Sequence, residues 1–163
     1  MKGGQGFASL VSTNRLLILA LSVLNAYGDV RNHENGELLA GVRTKDGLRL
    51  ANAAASLAEL EVLRGFSSTN TVLGVVATNG ALSKAELTRV AQMAQDGIAR
   101  AVVPSHTLYD GDTVFALSTA SHAGVQTTVV GALAAQLMSQ AIVNGVMHAV
   151  GVDALPAYQD LKA

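Results

Sequence analysis

Residues 67–80, "SSTNTVLGVVATNG", join a polar segment to an apolar one. The stretch opens with polar residues and then becomes apolar from Thr71 to Thr78, with the length and β-branched content typical of a buried strand. Polar residues at such a junction often form a turn, because their side chains bond the neighbouring backbone. The same junction also places hydroxyl groups at the start of a rigid strand. Two interpretations of residues 67–71 are therefore open, a polar turn or a nucleophile.

Two more segments predict strands, Leu16 to Tyr27 and Gly111 to Thr119, because each is apolar and is flanked by turn residues. The opening "MKGGQGFASL" contains three glycines that permit tight turns or the close approach of a ligand. The tail "LPAYQDLKA" predicts a surface extension.

Helices alternate with these strands. Ser83 and Glu86 form an S-x-x-E capping box, after which apolar residues recur at helical spacing until Pro104. Residues 126–150 predict a long helix that is apolar around much of its circumference, and residues 48–63 predict a helix or an ordered linker. The alternation indicates an α/β or α+β fold.

Composition restricts the partners. The chain has 163 residues, enough for one domain, and a net charge of -1, which gives no field to attract nucleic acid. It has no cysteine, and half of its residues are hydrophobic, which predicts association with another chain or a second copy.

The run from Leu16 to Leu24 is too short to span a membrane. It could form the core of a signal peptide, but the glycine-rich start favours a cytoplasmic protein.

A threonine at a strand start can attack the peptide bond that precedes it. If the Thr71 hydroxyl attacks the carbonyl of Asn70, an N-to-O acyl shift forms an ester, and hydrolysis leaves Thr71 as a new amino terminus. The free amine can then act as general base for its own hydroxyl. One residue would supply both nucleophile and base.

Three segments carry a resemblance to a known family: "KGG" near the start, "TNTVLGVVATNGALSKAE", and "AQMAQDGIARAVVPSHTLYDGDTVFAL". The chain resembles the L-aminopeptidase/D-Ala-esterase/amidases, which are self-cleaving, and within them the 6-aminohexanoate-oligomer hydrolases. The resemblance runs from Lys2 to the tail. It implies a layered α-β-β-α sandwich of the α/β class, here incomplete, because family members carry a long amino-terminal part before the "KGG" segment.

The resemblance implies that the bond between Asn70 and Thr71 is the scissile one, with Thr71 as nucleophile. Cleavage would give pieces of 70 and 93 residues, since 163 minus 70 is 93. Residues 1–163 are then one partial domain, with 1–70 the end of an α-subunit-like part and 71–163 a β-subunit-like part. Asn25 corresponds to the asparagine that donates to the oxyanion, although asparagine is also a common turn residue.

Asp110 and Asp112 correspond to the acidic pair of the oligomer hydrolases, which would orient the nucleophile and tune its pKa. Their alternative role is an Asp-Gly turn with solvated carboxylates. Lys2 corresponds to the lysine of the "KGG" segment, although a lysine near a terminus is often a frayed charge. His106 and His122 are interpreted as structural, since no Asp-His-Ser constellation is evident.

These residues imply an amidohydrolase that acts on peptide-like or oligoamide bonds through an acyl-enzyme on Thr71, with no metal or organic cofactor. The alternative is a catalytically incomplete fragment that acts as a binding or assembly subunit. The partners expected are a small amide or peptide substrate and either a second copy or the missing amino-terminal half, with no nucleic acid and no membrane.

Overall fold

The computed structural model of the chain describes residues 1–44, 47, 49–58, 70–153 and 155–161. Seven strands and three helices are defined within these ranges. The strands are β1 (Gln5–Val11), β2 (Leu17–Asn25), β3 (Asp29–Arg31), β4 (Leu38–Ala40), β5 (Thr71–Gly80), β6 (Val102–Val103) and β7 (Thr113–His122). The helices are α1 (Ala53–Ala58), α2 (Lys84–Ala101) and α3 (Thr127–Met147), and a short 3-10 turn follows at Gln159–Leu161. Ser67, Ser68 and Thr69 lie outside the described residues. Of the segment 48–63, predicted as a helix or an ordered linker, the structure describes residues 49–58 and shows α1 within them.

The main sheet has four strands in the order β1-β2-β5-β7. β2 is antiparallel to both β1 and β5, whereas β5 and β7 are parallel. A parallel pair requires a crossover connection, and α2 supplies it between β5 and β7. A second, small sheet has the order β4-β3-β6. The α/β class is confirmed.

α2 begins where the sequence predicts it. The backbone N–H of Glu86 donates to the Ser83 hydroxyl at 3.4 Å, and the Ser83 N–H donates to the Glu86 carboxylate at 2.8 Å. Thr127 donates to the same carboxylate at 3.1 Å and so joins the starts of α2 and α3. The Ser83 hydrogen bonds, with that from Thr127, lower the pKa of Glu86. The predicted capping box is confirmed.

α3 lies across the sheet as the central helix of the core. It is long and apolar enough to cross a membrane, but 67% of its most apolar window is buried inside the fold. A helix that is hydrophobic on most sides belongs in a protein core when protein surrounds it. Its observed bounds, Thr127–Met147, fall just inside the predicted 126–150. The cytoplasmic location remains a prediction.

A row of small residues lets α3 approach the sheet closely. Gly6, Ser22 and Gly74 are register partners on β1, β2 and β5. A Cβ atom on Gly6 would lie 2.0 Å from the carbonyl oxygen of Ala141 and 2.3 Å from the amide nitrogen of Gly145. Glycine is therefore required at position 6 for close packing between the helix backbone and the strand.

The two ends of the chain differ from their predictions. β1 forms within the glycine-rich opening, where no strand was predicted, because pairing with β2 holds it. The tail is not a surface extension, so that prediction is wrong. Ala157 and Tyr158 are buried, and the backbone N–H of Lys2 donates to the carbonyl of Pro156 at 3.0 Å.

The face of the main sheet opposite the helices carries exposed apolar side chains. They occupy alternate positions of all four strands, and cross-strand partners form continuous rows such as Phe7–Leu21–Val75–Phe115. Phe7 is 64% exposed and Phe115 60%. We call this surface the open face; its large exposed residues are Phe7, Val11, Leu17, Leu21, Val23, Leu73, Phe115 and Leu117.

Substituting Gly6→Ala should destabilise the protein by about 1–3 kcal/mol, because the new methyl group collides with the backbone of α3. Urea unfolding would measure the change. Ser9→Ala is the matched control, since Ser9 lies exposed on the opposite face of the same strand, and it should change stability by less than about 0.5 kcal/mol. Equal unfolding midpoints for the two variants would contradict this packing.

Candidate active site

The start of β5 lies opposite the end of β2. Thr71, the first residue of β5, pairs with Asn25, the last residue of β2. Directly opposite residues of an antiparallel pair have Cβ atoms about 4.5–5.5 Å apart on the same face. Since Val23 pairs with Leu73 one row earlier, Asn25 and Thr71 form the last row of the open face. The nucleophile and oxyanion residues expected from the sequence are therefore neighbours.

The Asn70–Thr71 peptide bond is held by two hydrogen bonds to one atom. The Thr71 hydroxyl donates to the carbonyl oxygen of Asn70 at 2.5 Å. The backbone N–H of Gly111 donates to the same oxygen at 3.0 Å. The attacking hydroxyl of the predicted acyl shift thus lies beside the carbonyl that it would attack.

Asp112 holds the backbone on the far side of that bond. One carboxylate oxygen accepts from the N–H of Val72 at 2.8 Å, and the other contacts Nδ1 of His106 at 3.0 Å. The Asp112 side chain is buried, with only 4% of it exposed, and these two contacts hold it in place. His106 has a φ of 53°, in the left-handed region that few non-glycine residues adopt. We infer that His106 positions Asp112, which contacts the residue next to Thr71.

Asp110 ties the site to the end of β2. One oxygen accepts from the Thr107 hydroxyl at 2.6 Å and from its N–H at 3.2 Å, and the other accepts from the N–H of Tyr27 at 3.2 Å. Asp110 also forms an isolated parallel bridge with Asn70. Asp112 thus bonds the main chain directly after Thr71, whereas the Asp110 carboxylate bonds the main chain just past the end of β2. They precede β7, whose predicted start at Gly111 is corrected to Thr113.

Two tyrosine rings lie beside Asp110. The centroids of Tyr27 and Tyr109 are 5.5 Å apart, and their planes are tilted by 39°. Partial burial, then the Tyr109 phenol and the Asp110 carboxylate, raise the pKa of Tyr27. The Tyr27 phenol therefore stays neutral to higher pH than an ordinary tyrosine, because each cause disfavours the phenolate.

Lys2 lines a cavity together with Asn25. The cavity has a volume of about 240 Å³, and Lys2, Asn25 and Tyr27 contribute to its lining. The Lys2 ammonium group donates to the carbonyl of Gly3 at 2.9 Å. Lys2 and Asn25 therefore line the same cavity, whereas Thr71, the register partner of Asn25, does not line it.

Several residues of this site carry no clear signal in the sequence. His106 is interpreted there as structural, and Gly111 and Tyr27 are not singled out. His106 and Gly111 belong to the segment "HTLYDGDT" that carries the family resemblance, so the motif marked the region without showing which atoms meet. Within the described ranges, no three His, Asp or Glu residues cluster in a way that could hold a metal ion.

A sequence model of "Peptidase family S58" matches residues 1–157, nearly the whole chain. This chain belongs to peptidase family S58. An uncharacterized aminopeptidase of Mycobacterium bovis is 38% identical over 180 aligned positions, which cover 99% of this chain and 52% of that protein. A 6-aminohexanoate-oligomer endohydrolase of a Kocuria species is 26% identical, over 86% of this chain and 43% of the relative.

The fold of this S58 chain is similar to that of solved relatives. The L-aminopeptidase D-Ala-esterase/amidase of Ochrobactrum anthropi, described as a variant of the Ntn hydrolase fold, superposes with a TM-score of 0.56 at 22% identity. The match covers 90% of this chain and 40% of that one. The chain thus spans about half the length of the curated relatives that it matches.

Substituting Asp110→Asn should lower the pKa of Tyr27 toward the ordinary tyrosine value, because a negative charge that opposes the phenolate is removed. NMR titration of the protein labelled with carbon-13 tyrosine would measure the pKa of Tyr27, and the Tyr27→Phe variant would identify its signal. Asp153→Asn, at an exposed position, is the control and should leave the titration unchanged. An unaltered Tyr27 titration in Asp110→Asn would contradict the arrangement described.

Proposed function

We propose that this chain is the nucleophile-bearing part of an amide hydrolase that cleaves itself between Asn70 and Thr71. The observation that carries the proposal is the contact between the Thr71 hydroxyl and the Asn70 carbonyl at the fixed start of a central strand. Membership of a peptidase family supports the reaction class. Because the Thr71 hydroxyl and the Asn70 carbonyl are held next to each other, their orientation accounts for much of the rate of self-cleavage.

After cleavage, the free amine of Thr71 acts as general base for its own hydroxyl. The hydroxyl attacks a substrate amide carbonyl, and an ester on Thr71 forms as the amine product leaves. Water then hydrolyses the ester. Asn25, the register partner of Thr71, can donate its side-chain N–H to the developing oxyanion. Asp110 and Asp112 keep the strand start in place, and Lys2 lines the cavity beside Asn25.

The substrate class follows from the same chemistry. The Kocuria relative is named for 6-aminohexanoate oligomers, and the Mycobacterium bovis relative is named an aminopeptidase. Both names describe cleavage of amide bonds. A cavity of about 240 Å³ beside Asn25 fits a small group rather than a folded protein. We therefore propose small peptide amides or oligoamides as substrates.

The open face supports a protein partner. Large apolar side chains rarely form a continuous exposed surface on a monomer. The chain spans about half of its relatives, so we propose that a segment equivalent to their unmatched portion packs its own sheet on this face. A second copy of this chain is the competing occupant. In the alternative function, the chain is a catalytically incomplete assembly subunit that binds its partner through the open face and does not hydrolyse amides.

Thr71→Val should abolish both self-cleavage and amidase activity, because valine keeps the shape of threonine but has no hydroxyl. Intact-mass measurement of the chain, alone and with the unmatched portion of the Mycobacterium bovis relative, would detect pieces of 70 and 93 residues. Thr71→Ser retains a hydroxyl and is the matched control, which should still cleave. Cleavage after Asn70 in the valine variant would refute the assignment.

Phe115→Lys should weaken binding of the unmatched portion of the relative more than tenfold, because an unpaired charge in an apolar contact costs about 2 kcal/mol or more. Gln92→Lys adds the same charge on the exposed side of α2 and should not change binding. Size-exclusion chromatography with light scattering would measure association. A homodimer that Phe115→Lys dissociates would favour the second copy, and association without amide hydrolysis would favour the assembly subunit.

A further inference from the structure

The backbone of Gly111 contacts the carbonyl that self-cleavage must attack. Its N–H donates to the Asn70 oxygen at 3.0 Å, while the Thr71 hydroxyl donates to the same oxygen at 2.5 Å. When the hydroxyl oxygen attacks the carbonyl carbon, negative charge develops on this oxygen. A main-chain N–H already aimed at it is the kind of donor that stabilises an oxyanion.

Neighbouring hydrogen bonds fix this donor. The N–H of Asp110 donates to the carbonyl of Thr107 at 3.1 Å, and the Asp110 carboxylate accepts from Thr107 and Tyr27. On the other side, Asp112 accepts from Val72 at 2.8 Å. Gly111 therefore lies between Asp110 and Asp112, which hydrogen bonds hold in place, so its N–H needs no reorganisation during the reaction.

The identity of residue 111 agrees with this contact. A Cβ atom there would lie 3.1 Å from the Thr71 hydroxyl oxygen, closer than most Cβ atoms approach any neighbour. The positive-φ glycines are Gly36, Gly47 and Gly124 among the described residues, so backbone conformation is not the reason for glycine at 111. Glycine leaves the space that the nucleophile occupies.

We propose that the Gly111 N–H is the oxyanion donor of the self-cleavage step, an inference that rests on the proposed function. The Thr71 hydroxyl oxygen bonds to the Asn70 carbonyl carbon, and the carbonyl electron pair moves to the oxygen that Gly111 holds. Collapse breaks the bond from carbon to the Thr71 nitrogen, which gains the hydroxyl proton. Water then hydrolyses the ester to the Asn70 carboxylate and free Thr71. Gly111 thus stabilises the oxyanion on the Asn70 carbonyl during self-cleavage, and Asn25 stabilises the oxyanion on the substrate carbonyl.

The test replaces one backbone N–H by oxygen. Cell-free translation would insert glycolic acid at position 111, and mass spectrometry would follow cleavage over time, with and without the unmatched portion of the relative. We expect cleavage to slow by about 10²-fold, the effect of losing one oxyanion donor. Glycolic acid in place of Gly36 is the matched control, because it makes the same replacement and removes the 2.8 Å hydrogen bond that the Gly36 N–H donates to the Asn32 carbonyl in the turn between β3 and β4. This control should cleave at close to the wild-type rate.

The outcomes separate the two proposals. A wild-type rate in the variant altered at position 111, or equal slowing in both variants, would overturn the donor role of Gly111 while self-cleavage stands. No cleavage of the wild-type chain under either condition would overturn the proposed function, and this inference with it. If both variants shift the unfolding midpoint by similar amounts and only the variant at position 111 cleaves slowly, the Gly111 N–H has a chemical rather than a structural role.

Discussion

β5 pairs with an antiparallel strand on one side and a parallel strand on the other, and this pairing sets the positions of the site and of the helices. Antiparallel pairing brings the end of β2 to the start of β5, and parallel pairing brings the segment before β7 to the same edge. Residues 25, 71 and 110–112 therefore meet although they are far apart in sequence. Because the parallel pair needs a crossover, α2 covers one face of the sheet, and α3 packs beside it.

The hydrogen bonds at this edge are directed mainly at the main chain. Asp112 accepts from the backbone N–H of Val72, Asp110 accepts from that of Tyr27, and the Gly111 N–H donates to the Asn70 carbonyl. Such contacts hold the orientation of a peptide bond without depending on flexible side chains. A reaction between adjacent groups depends on orientation more than on affinity. His106 extends the arrangement outward by bonding Asp112, so an exposed residue influences a buried one.

The two faces of the main sheet have different roles. The helix face carries small residues where α3 must approach, as at Gly6, and larger apolar residues elsewhere. The open face carries apolar side chains up to the row formed by Asn25 and Thr71. Any layer that packs on this face would also form a wall of the candidate site. Assembly and catalysis are therefore linked by geometry in the proposed function.

Elements whose signals are local can be predicted from the amino-acid sequence. The strand over Thr71 to Thr78 follows from its apolar, β-branched run, and the start of α2 follows from Ser83 and Glu86, whose side chains reach only the next turn. The family motifs likewise marked the candidate nucleophile. The burial of Tyr158 and the contact of His106 with a carboxylate are seen only in the folded chain. These contacts form between segments brought together by strand pairing and packing, which no local pattern encodes.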